Sequence, residues 1–376
     1  MKNKKYKKIN KEKGITLVAL VVTIVVLLIL ATVTINMTMN SNGIFGRAKN
    51  ATATYKQAED NETAALNDIS TAIDTSLGNQ TAEIKVADSK GGDIISSTDN
   101  TAIKDDNGNT VTIPAGFKIA SDSATKQEDG IVIEDKDGNQ YVWIPVASIT
   151  NYKRTDFEIQ TGIYSMYAET MPSDEQTSVS TYHGYYIGRY EAGDSVSTTN
   201  KTLRASGASV TNKVSIKKGQ APYNYVTRDQ ANTLATGIKA AEGYTATTKL
   251  CSSYAWDTAI NFIQNKVLNY GTTSPQGNYN NTTFTYTDIT GATQTKANGS
   301  IVLVPTGNTT PVCNIYDMGG NELEWTSEAF SDSSYPCVIR GGTCNDAYSA
   351  LPAGYRDSYT TTNSLSVVGL RATLYM

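Results

Sequence analysis

The strongest pattern in the chain is an uncharged apolar run near its start. Residues 15–35, ITLVALVVTIVVLLILATVTI, contain no charged side chain, and only threonines interrupt the apolar sequence. As an α-helix this run is about 30 Å long, which matches the hydrocarbon thickness of a bilayer. The pattern therefore predicts a membrane-spanning helix.

Beyond Asn42-Gly43 the apolar spacing changes. Between residues 44 and 77 apolar side chains recur mostly at intervals of three or four, which predicts an amphipathic stalk helix. Two later segments, KDDNGNTVTIPAGFKI and IVIEDKDGNQYVWIPV, set Asp/Asn/Gly turns beside alternating or β-branched residues. They predict β-hairpins between residues 78 and 145.

The last two thirds of the chain carry the signs of a packed core. The segment SSYAWDTAINFI has apolar residues at helical intervals and predicts a helix. Trp143, Trp256 and Trp325 lie in apolar contexts, so each indole is expected to be buried with a partner for its N–H. Three arginines are predicted to be structural and held by carboxylates, namely Arg340, Arg356 and Arg371.

Charge is divided unevenly along the chain. Residues 1–14 carry seven lysines and one glutamate, a net charge of +6, so the remainder carries −10 within a total of −4. An acidic body with one histidine and no basic stripe argues against nucleic-acid binding. Lysines directly before an apolar helix stay on the cytoplasmic side of a membrane. This predicts a single-pass protein of the cell membrane, with its body outside the cell.

The four cysteines, Cys251, Cys313, Cys337 and Cys344, all lie in the last third of the chain. They form no C-x-x-C pair and no Cys/His cluster, which argues against a zinc site. Four cysteines allow three disulfide pairings, and the sequence selects none of them.

The start of the apolar run resembles a type IV prepilin leader, in which KG is followed directly by ITLVAL. The resemblance implies cleavage between Gly14 and Ile15 by a prepilin peptidase and methylation of the new Ile15 amine. It also implies residence in the membrane before assembly, followed by packing of residues 15–35 against other pilin-like subunits. Ala19 departs from the pattern, because most pilins have a glutamate there. The alternative is an uncleaved anchor on a surface binding protein that does not polymerise.

From about Tyr141 onward, separate pieces resemble the formylglycine-generating enzyme or sulfatase-modifying factor domain. They include YHGYYIGRYEAG, YDMGGNELEW, VIRGG and a closing GLR, in that order. The resemblance implies a C-type lectin fold over residues 141–376. The predicted fold class is therefore α+β, with a basic leader at 1–14 and a pilin-type helix and stalk at 15–80. A β-hairpin segment at 81–140 precedes the lectin-type domain.

The resemblance does not carry the family's oxidase activity over with it. Family members hold copper with two cysteines a few residues beyond RGG, but residues 345–352 read NDAYSALP, and Cys344 lies too close to Gly342. Copper(I) requires soft thiolate ligands, so we expect no copper and no catalysis. The alternative is a formylglycine-type or non-haem metal oxidase, although the chain has only His183 as a histidine ligand.

A structural calcium site is implied by the same resemblance. Residue by residue, its ligands would be the side chains of Asp317 and Glu324 and the backbone carbonyls of Gly320 and Glu322. Hard oxygen donors from a tight loop are what calcium prefers. The competing interpretation is that these carboxylates cap the turn and pair with an arginine.

Residues 344–364 combine Tyr, Ser, Asn and Asp, a mixture typical of recognition surfaces. Variable proteins diversified by retroelements have this fold and vary near this part of the chain. We therefore predict that Tyr348, Tyr355, Asp357 and Tyr359 line a ligand-binding face. The resulting hypothesis is a pilin-like surface subunit that displays a non-catalytic lectin-type domain for adhesion to an unknown extracellular ligand.

Overall fold

The computed structural model describes residues 17–39, 44–76, 83–159, 162–195, 203–211, 214–238 and 246–376. The chain divides into two compact units, Met1–Thr81 and Ala82–Met376. The first unit contains the helices α1 (Leu17–Met39) and α2 (Ile44–Ser76). Helix α2 lies where the apolar spacing predicts a helix. Its apolar side chains are largely exposed, including those of Tyr55, Leu66 and Ile69.

The structure contradicts the predicted membrane-spanning segment. Within the residues that the structure describes, no helix combines the length and the apolar character that a membrane crossing needs. The predicted transmembrane helix over 15–35 is therefore wrong, as are the pilin-type role and the membrane or pilus location that depended on it. The predicted processing site at Gly14 and Ile15 lies outside the described residues.

The second unit is built mostly from short strands, with few helices. Its described helices are α3 (Val86–Ser89), α4 (Ser173–Tyr182), α5 (Arg228–Gly237) and α6 (Ser253–Gln264). Its strands are β1 (Thr101–Lys104), β2 (Thr110–Ile113), β3 (Lys118–Ile119), β4 (Val132–Glu134), β5 (Gln140–Pro145), β6 (Tyr167–Ala168), β7 (Gly184–Gly188), β8 (Gly193–Asp194), β9 (Val214–Ser215), β10 (Thr247–Leu250), β11 (Phe284–Thr287), β12 (Thr293–Lys296), β13 (Leu323–Phe330), β14 (Cys337–Arg340), β15 (Arg356–Tyr359), β16 (Val368–Leu370) and β17 (Ala372–Tyr375).

Both hairpins that the turn motifs predict are present. β1 pairs with β2, and β4 pairs with β5, each antiparallel across the predicted turn. In each turn the leading aspartate accepts backbone N–H groups, as Asp135 Oδ1 does from Asp137 and Asn139 at 2.9 and 2.8 Å. Short Asx side chains favour such turns because they can satisfy the turn's own backbone donors.

The largest sheet has six antiparallel strands in the order β10-β17-β7-β5-β4-β3. Its centre is almost fully buried, with Trp143 of β5 opposite Tyr186 of β7. Strands buried on both faces have continuous apolar sequences, and YVWIPV and YYIG have that composition. The sheet combines β3 and β4, from the early part of the second unit, with β17, the last described strand.

The second principal sheet has the order β15-β14-β13-β16, and β6 pairs with the far end of β13. β13 is parallel to β16 and antiparallel to β14, with a register shift between Trp325 and Ala329. Strand β15 lies at the edge of this sheet and places Asp357 opposite Ile339. The edge position leaves one long side of β15 without a neighbouring strand.

The tryptophans and the predicted helix are buried in the core as expected, and two of the three indoles have the expected partner for their N–H. Trp143, Trp256 and Trp325 are fully buried. The indole N–H of Trp256 donates to the Ala353 carbonyl, and that of Trp325 donates to the Val226 carbonyl, each at 2.9 Å. Trp143 Nε1 has no hydrogen-bond partner among the described atoms. Helix α6 begins after Ser252, whose hydroxyl accepts from the Ala255 N–H at 3.2 Å as an N-cap.

The contact between β7 and the indole of Trp143 gives a test of this packing. A Cβ atom on Gly184 would lie 2.3 Å from Trp143 Cζ2 and 2.7 Å from the Ile144 carbonyl oxygen. We expect Gly184→Ala to lower the free energy of unfolding by about 1–3 kcal/mol, since a rigid core cannot accommodate the added methyl group. Urea unfolding measures the change.

The control is Gly237→Ala in α5, where a new Cβ would meet no atom within 4 Å. This substitution is expected to be neutral or stabilising by up to about 1 kcal/mol, because alanine favours a helix over glycine. Equal stability of the two variants would show that the Trp143 packing is looser than described.

Candidate functional site

Three of the four predicted face residues lie on one side of the edge strand. β15 begins directly after Tyr355, and Asp357 and Tyr359 follow it at every second position. Their side chains therefore point to the same side of the strand. All three are half-buried, which leaves part of each side chain accessible. We name Tyr355, Asp357 and Tyr359 the tyrosine face.

The fourth predicted residue lies in a different segment. Tyr348 is half-buried in the loop before β15, and its N–H donates to Asn281 Oδ1 at 3.2 Å. Its ring packs edge-on against Tyr279, with centroids 6.4 Å apart. The contacts of Tyr348 are therefore with residues 279–281 rather than with the tyrosine face.

The opposite side of β15 is fixed by a buried ionic network. Arg356 points inward, where its Nε donates to both carboxylate oxygens of Glu328 at 3.2 Å and its Nη2 bonds to Asp257. Arg340 of β14 donates to the other oxygen of Asp257 at 2.6 Å. Arg154 reaches Glu328 from a preceding loop at 2.5 Å. We name Arg154, Asp257, Glu328, Arg340 and Arg356 the arginine network.

Burial and mutual charge set the electrostatics of the arginine network. Asp257, Glu328 and Arg340 have no exposed surface, and Arg356 is 3% exposed. Burial and the neighbouring charge of Arg356 lower the pKa of Arg340. Burial also lowers the pKa of Arg356, but Asp257 and Glu328 outweigh this effect and hold it above its ordinary value. Both arginines are held by carboxylates, which confirms their predicted structural role.

Sequence reasoning did not identify the acidic partners of these arginines. Asp257 lies on α6 and Glu328 on β13, which are 83 and 12 positions from Arg340 in the chain. Their spacing shows no motif, because the contacts exist only after the helix and the sheet pack together. The only available signal was a carboxylate within an otherwise apolar helix.

The electrostatics of the tyrosine face differ from those of the arginine network on the other side of β15. Burial raises the pKa of Asp357, and the groups that oppose this effect are the Ser358 N–H and the Tyr355 hydroxyl rather than a basic side chain. Burial and the charge of Asp357 raise the pKa of Tyr355 and of Tyr359. Both phenols therefore remain neutral hydrogen-bonding groups near neutral pH.

The calcium ligands implied by the resemblance already have protein partners. Both carboxylate oxygens of Glu324 accept from Arg371, at 2.7 and 3.0 Å. Asp317 accepts from the Gly307 N–H at 3.1 Å and from the Thr309 hydroxyl at 2.6 Å. Gly320 has a φ of +82°, which suits the turn between them. Glu324 is thus neutralised by the guanidinium of Arg371, as in the alternative in which these carboxylates pair with an arginine.

Two further buried carboxylates lie beside this turn. Glu191 Oε2 accepts from Asn321 Nδ2 at 2.7 Å, whereas neither oxygen of Glu322 has a hydrogen-bond partner among the described atoms. Burial, with the nearby acidic charges of Asp317 and Glu324, raises the pKa of both groups well above the ordinary value. Their environment therefore favours the protonated, neutral forms.

Other candidate metal ligands are dispersed. All four cysteines are buried with free thiols, and burial raises the pKa of Cys313 and of Cys344 to about 11. His183 is exposed and ends α4 in the left-handed conformation. Across the described ranges, no group of three or more His, Cys, Asp and Glu side chains is arranged to hold a metal ion. The cavity beside Arg356, lined in part by Phe157 and Tyr164, measures about 10 Å³, roughly the space of one water.

Comparison with known proteins gives information on the fold alone. No protein-family model matches the chain, and no curated protein matches it. Similar solved structures include CarF, with 16% identity over 51% of this chain and 87% of that chain, at a TM-score of 0.32. PvdO from Pseudomonas aeruginosa has 13% identity over 65% and 98%, at 0.41. Treponema denticola variable protein 1 has 12% identity over 64% and 96%, at 0.32.

These similarities are distant, and TM-scores below 0.5 carry no argument about mechanism. The comparison shows no more than this distant structural similarity. It provides no support for a prepilin motif or for a pilin role.

The arginine network leads to a stability prediction. We expect Glu328→Gln to lower the free energy of unfolding by about 3–5 kcal/mol, because Asp257 would remain as the only carboxylate beside Arg340 and Arg356, and Arg154 would lose its ion pair. Denaturant unfolding followed by tryptophan fluorescence measures this loss.

Asp137→Asn is the matched control, because it removes an exposed ion pair of 3.0 Å with Lys136. Exposed pairs contribute about 0–1 kcal/mol, so this change is expected to be small. A loss below about 1 kcal/mol in Glu328→Gln would mean that the network does not hold β15.

The Arg371–Glu324 pair leads to a prediction about calcium. We expect the thermal midpoint of the chelator-treated protein to be unchanged by added calcium, since Arg371 already satisfies both oxygens of Glu324. A bound ligand at 100 times its Kd would stabilise the fold by about 2.7 kcal/mol, which thermal unfolding readily detects. Magnesium at equal ionic strength is the control, and a calcium-specific rise in the midpoint would contradict the prediction.

Proposed function

We propose that the second unit is a non-catalytic binding module whose recognition surface is the tyrosine face. One observation carries the proposal, namely that Tyr355, Asp357 and Tyr359 are partly accessible on a strand whose inner side is fixed by buried ion pairs. Tyrosine offers a large contact area at a low entropic cost. A rigid strand that presents such side chains is suited to recognition.

The chemistry of the cysteines supports a non-catalytic role. Copper(I) binds thiolates, but burial raises the pKa of all four cysteine thiols. The segment 345–352, where the resemblance would place the copper ligands, contains no cysteine. A formylglycine-type or non-haem metal oxidase is the alternative from the enzyme class, and oxidation of a cysteine peptide by the copper-loaded protein would establish it.

The binding proposal is tested by capture on printed glycan and peptide arrays. The full chain is compared with the triple variant Tyr355→Ala, Asp357→Ala and Tyr359→Ala. We expect the variant to bind the captured compounds at least about 100-fold more weakly, since two aromatic anchors at about 2 kcal/mol each exceed that factor. Binding is measured by fluorescence polarisation on each compound.

The matched control is Tyr286→Ala, which removes a half-buried tyrosine from the separate β11–β12 hairpin. This variant is expected to bind like the unmodified chain. Unchanged binding by the triple variant, with its fold intact by circular dichroism, would place the recognition surface elsewhere.

A further inference from the structure

The tyrosine face carries acidic charge without a basic partner. Asp357 lies within it, and Asp346, from the preceding loop, is among the charges that act on Tyr355 and Tyr359. None of the ion pairs within 4.0 Å among the described residues involves either aspartate. Both side chains are only half-buried, so an incoming group can reach them.

The basic residues of the same sheet are turned away from this face. Arg356 and Arg340 are opposite each other in the strand register, and both guanidinium groups pair with Asp257 and Glu328. Because strand side chains alternate, the residues on either side of Arg356 point to the other side of the sheet. The strand thereby separates its charges, with the guanidinium of Arg356 on one side and the half-buried carboxylate of Asp357 on the other.

The aromatic rings add to the attraction for a cation. The ring face of tyrosine carries partial negative charge, and a cation within about 6 Å of the ring centre is stabilised by about 0.5–1 kcal/mol at exposed sites. Tyr359 is held edge-on against the buried indole of Trp325, with centroids 6.2 Å apart, so its ring is positioned before any ligand binds. The Asp357 carboxylate accepts a hydrogen bond from the Ser358 N–H at 2.8 Å, which orients it.

We propose that the tyrosine face binds arginine side chains of a peptide or protein partner. This inference rests on the proposed function and names its ligand class. A guanidinium group can donate two parallel hydrogen bonds to a carboxylate and can also stack on an aromatic ring, which a lysine ammonium cannot do as well. Among the described residues β15 is the last strand of its sheet.

The test compares fluorescein-labelled glycine peptides that contain two arginines, two lysines, two citrullines or two glutamates, each bound to the full chain. Citrulline keeps the shape of arginine without its charge. We expect the arginine peptide to bind at least about 10-fold more tightly than the citrulline peptide, and the glutamate peptide to bind weakest. Raising the salt concentration is expected to weaken arginine binding, because partly exposed charge pairs are screened.

The variants Asp357→Asn and Asp346→Asn isolate the charge while keeping the side-chain shape. Each is expected to weaken arginine-peptide binding about 5- to 10-fold and to leave citrulline-peptide binding unchanged. Asp332→Asn, an exposed aspartate in the β13–β14 turn, is the matched control and should have no effect. If Asp357→Asn fails to fold, Asp346→Asn carries the test.

The outcomes distinguish this inference from the proposed function. If the triple alanine variant loses array binding while arginine and citrulline peptides bind equally, the face is a recognition surface but its ligand is not cationic. Arginine-peptide binding that survives both aspartate substitutions overturns the inference. If the triple alanine variant keeps its array binding, the proposed function is overturned as well.

Discussion

The arginine network is the interaction on which the rest of the second unit depends. It links α6 through Asp257, β13 through Glu328, β14 through Arg340 and β15 through Arg356. Removing charged groups from water costs several kcal/mol each, and only close pairing with additional hydrogen bonds recovers that cost. Each of these groups meets that condition only when the helix and all three strands are in place. The network therefore selects one arrangement of these elements over its alternatives.

A second buried arginine has the same stabilising role at the place where the two principal sheets meet. Arg371 donates to both oxygens of Glu324 and to the backbone carbonyls of Gly188 and Tyr316, at 2.7–3.0 Å. Two carboxylate oxygens and two carbonyls form an oxygen-rich site that a metal ion could also occupy. Here a side chain of the protein supplies the positive charge. The turn around Gly320 is thus stabilised from within the chain.

These internal anchors explain how a strand at the edge of a sheet can present a defined surface. Edge strands are usually mobile or protected, because one side of their backbone lacks a partner. β15 is fixed instead by the buried side chain of Arg356 and by its register with β14. The same alternation that buries the guanidinium places Tyr355, Asp357 and Tyr359 on the other side of the strand, where they are half-buried. The side chain that stabilises β15 and the residues proposed to bind a ligand thus lie on opposite sides of one strand.

Local features of this protein followed from the sequence alone. The Asp/Asn/Gly turns predicted both hairpins, and the apolar spacing predicted α6, because these elements depend on contacts within a few residues. The burial of the three tryptophans and the structural role of the arginines also followed from residue chemistry. Apolar composition alone was an insufficient guide at the start of the chain, where the predicted membrane-spanning helix was contradicted.

Only the tertiary structure decided which groups meet. Arg340 and Asp257 are 83 positions apart, and Arg371 and Glu324 are 47 apart, so no spacing rule could pair them. The pairing of Glu324 with Arg371 rather than with a cation was one of two alternatives that the sequence left open. The grouping of Tyr355, Asp357 and Tyr359 apart from Tyr348 was likewise set by strand register. Sequence determines local conformation through contacts between residues that are close in the chain. Long-range pairing depends instead on the folded arrangement in which the buried charges find partners and the strands pair with their neighbours.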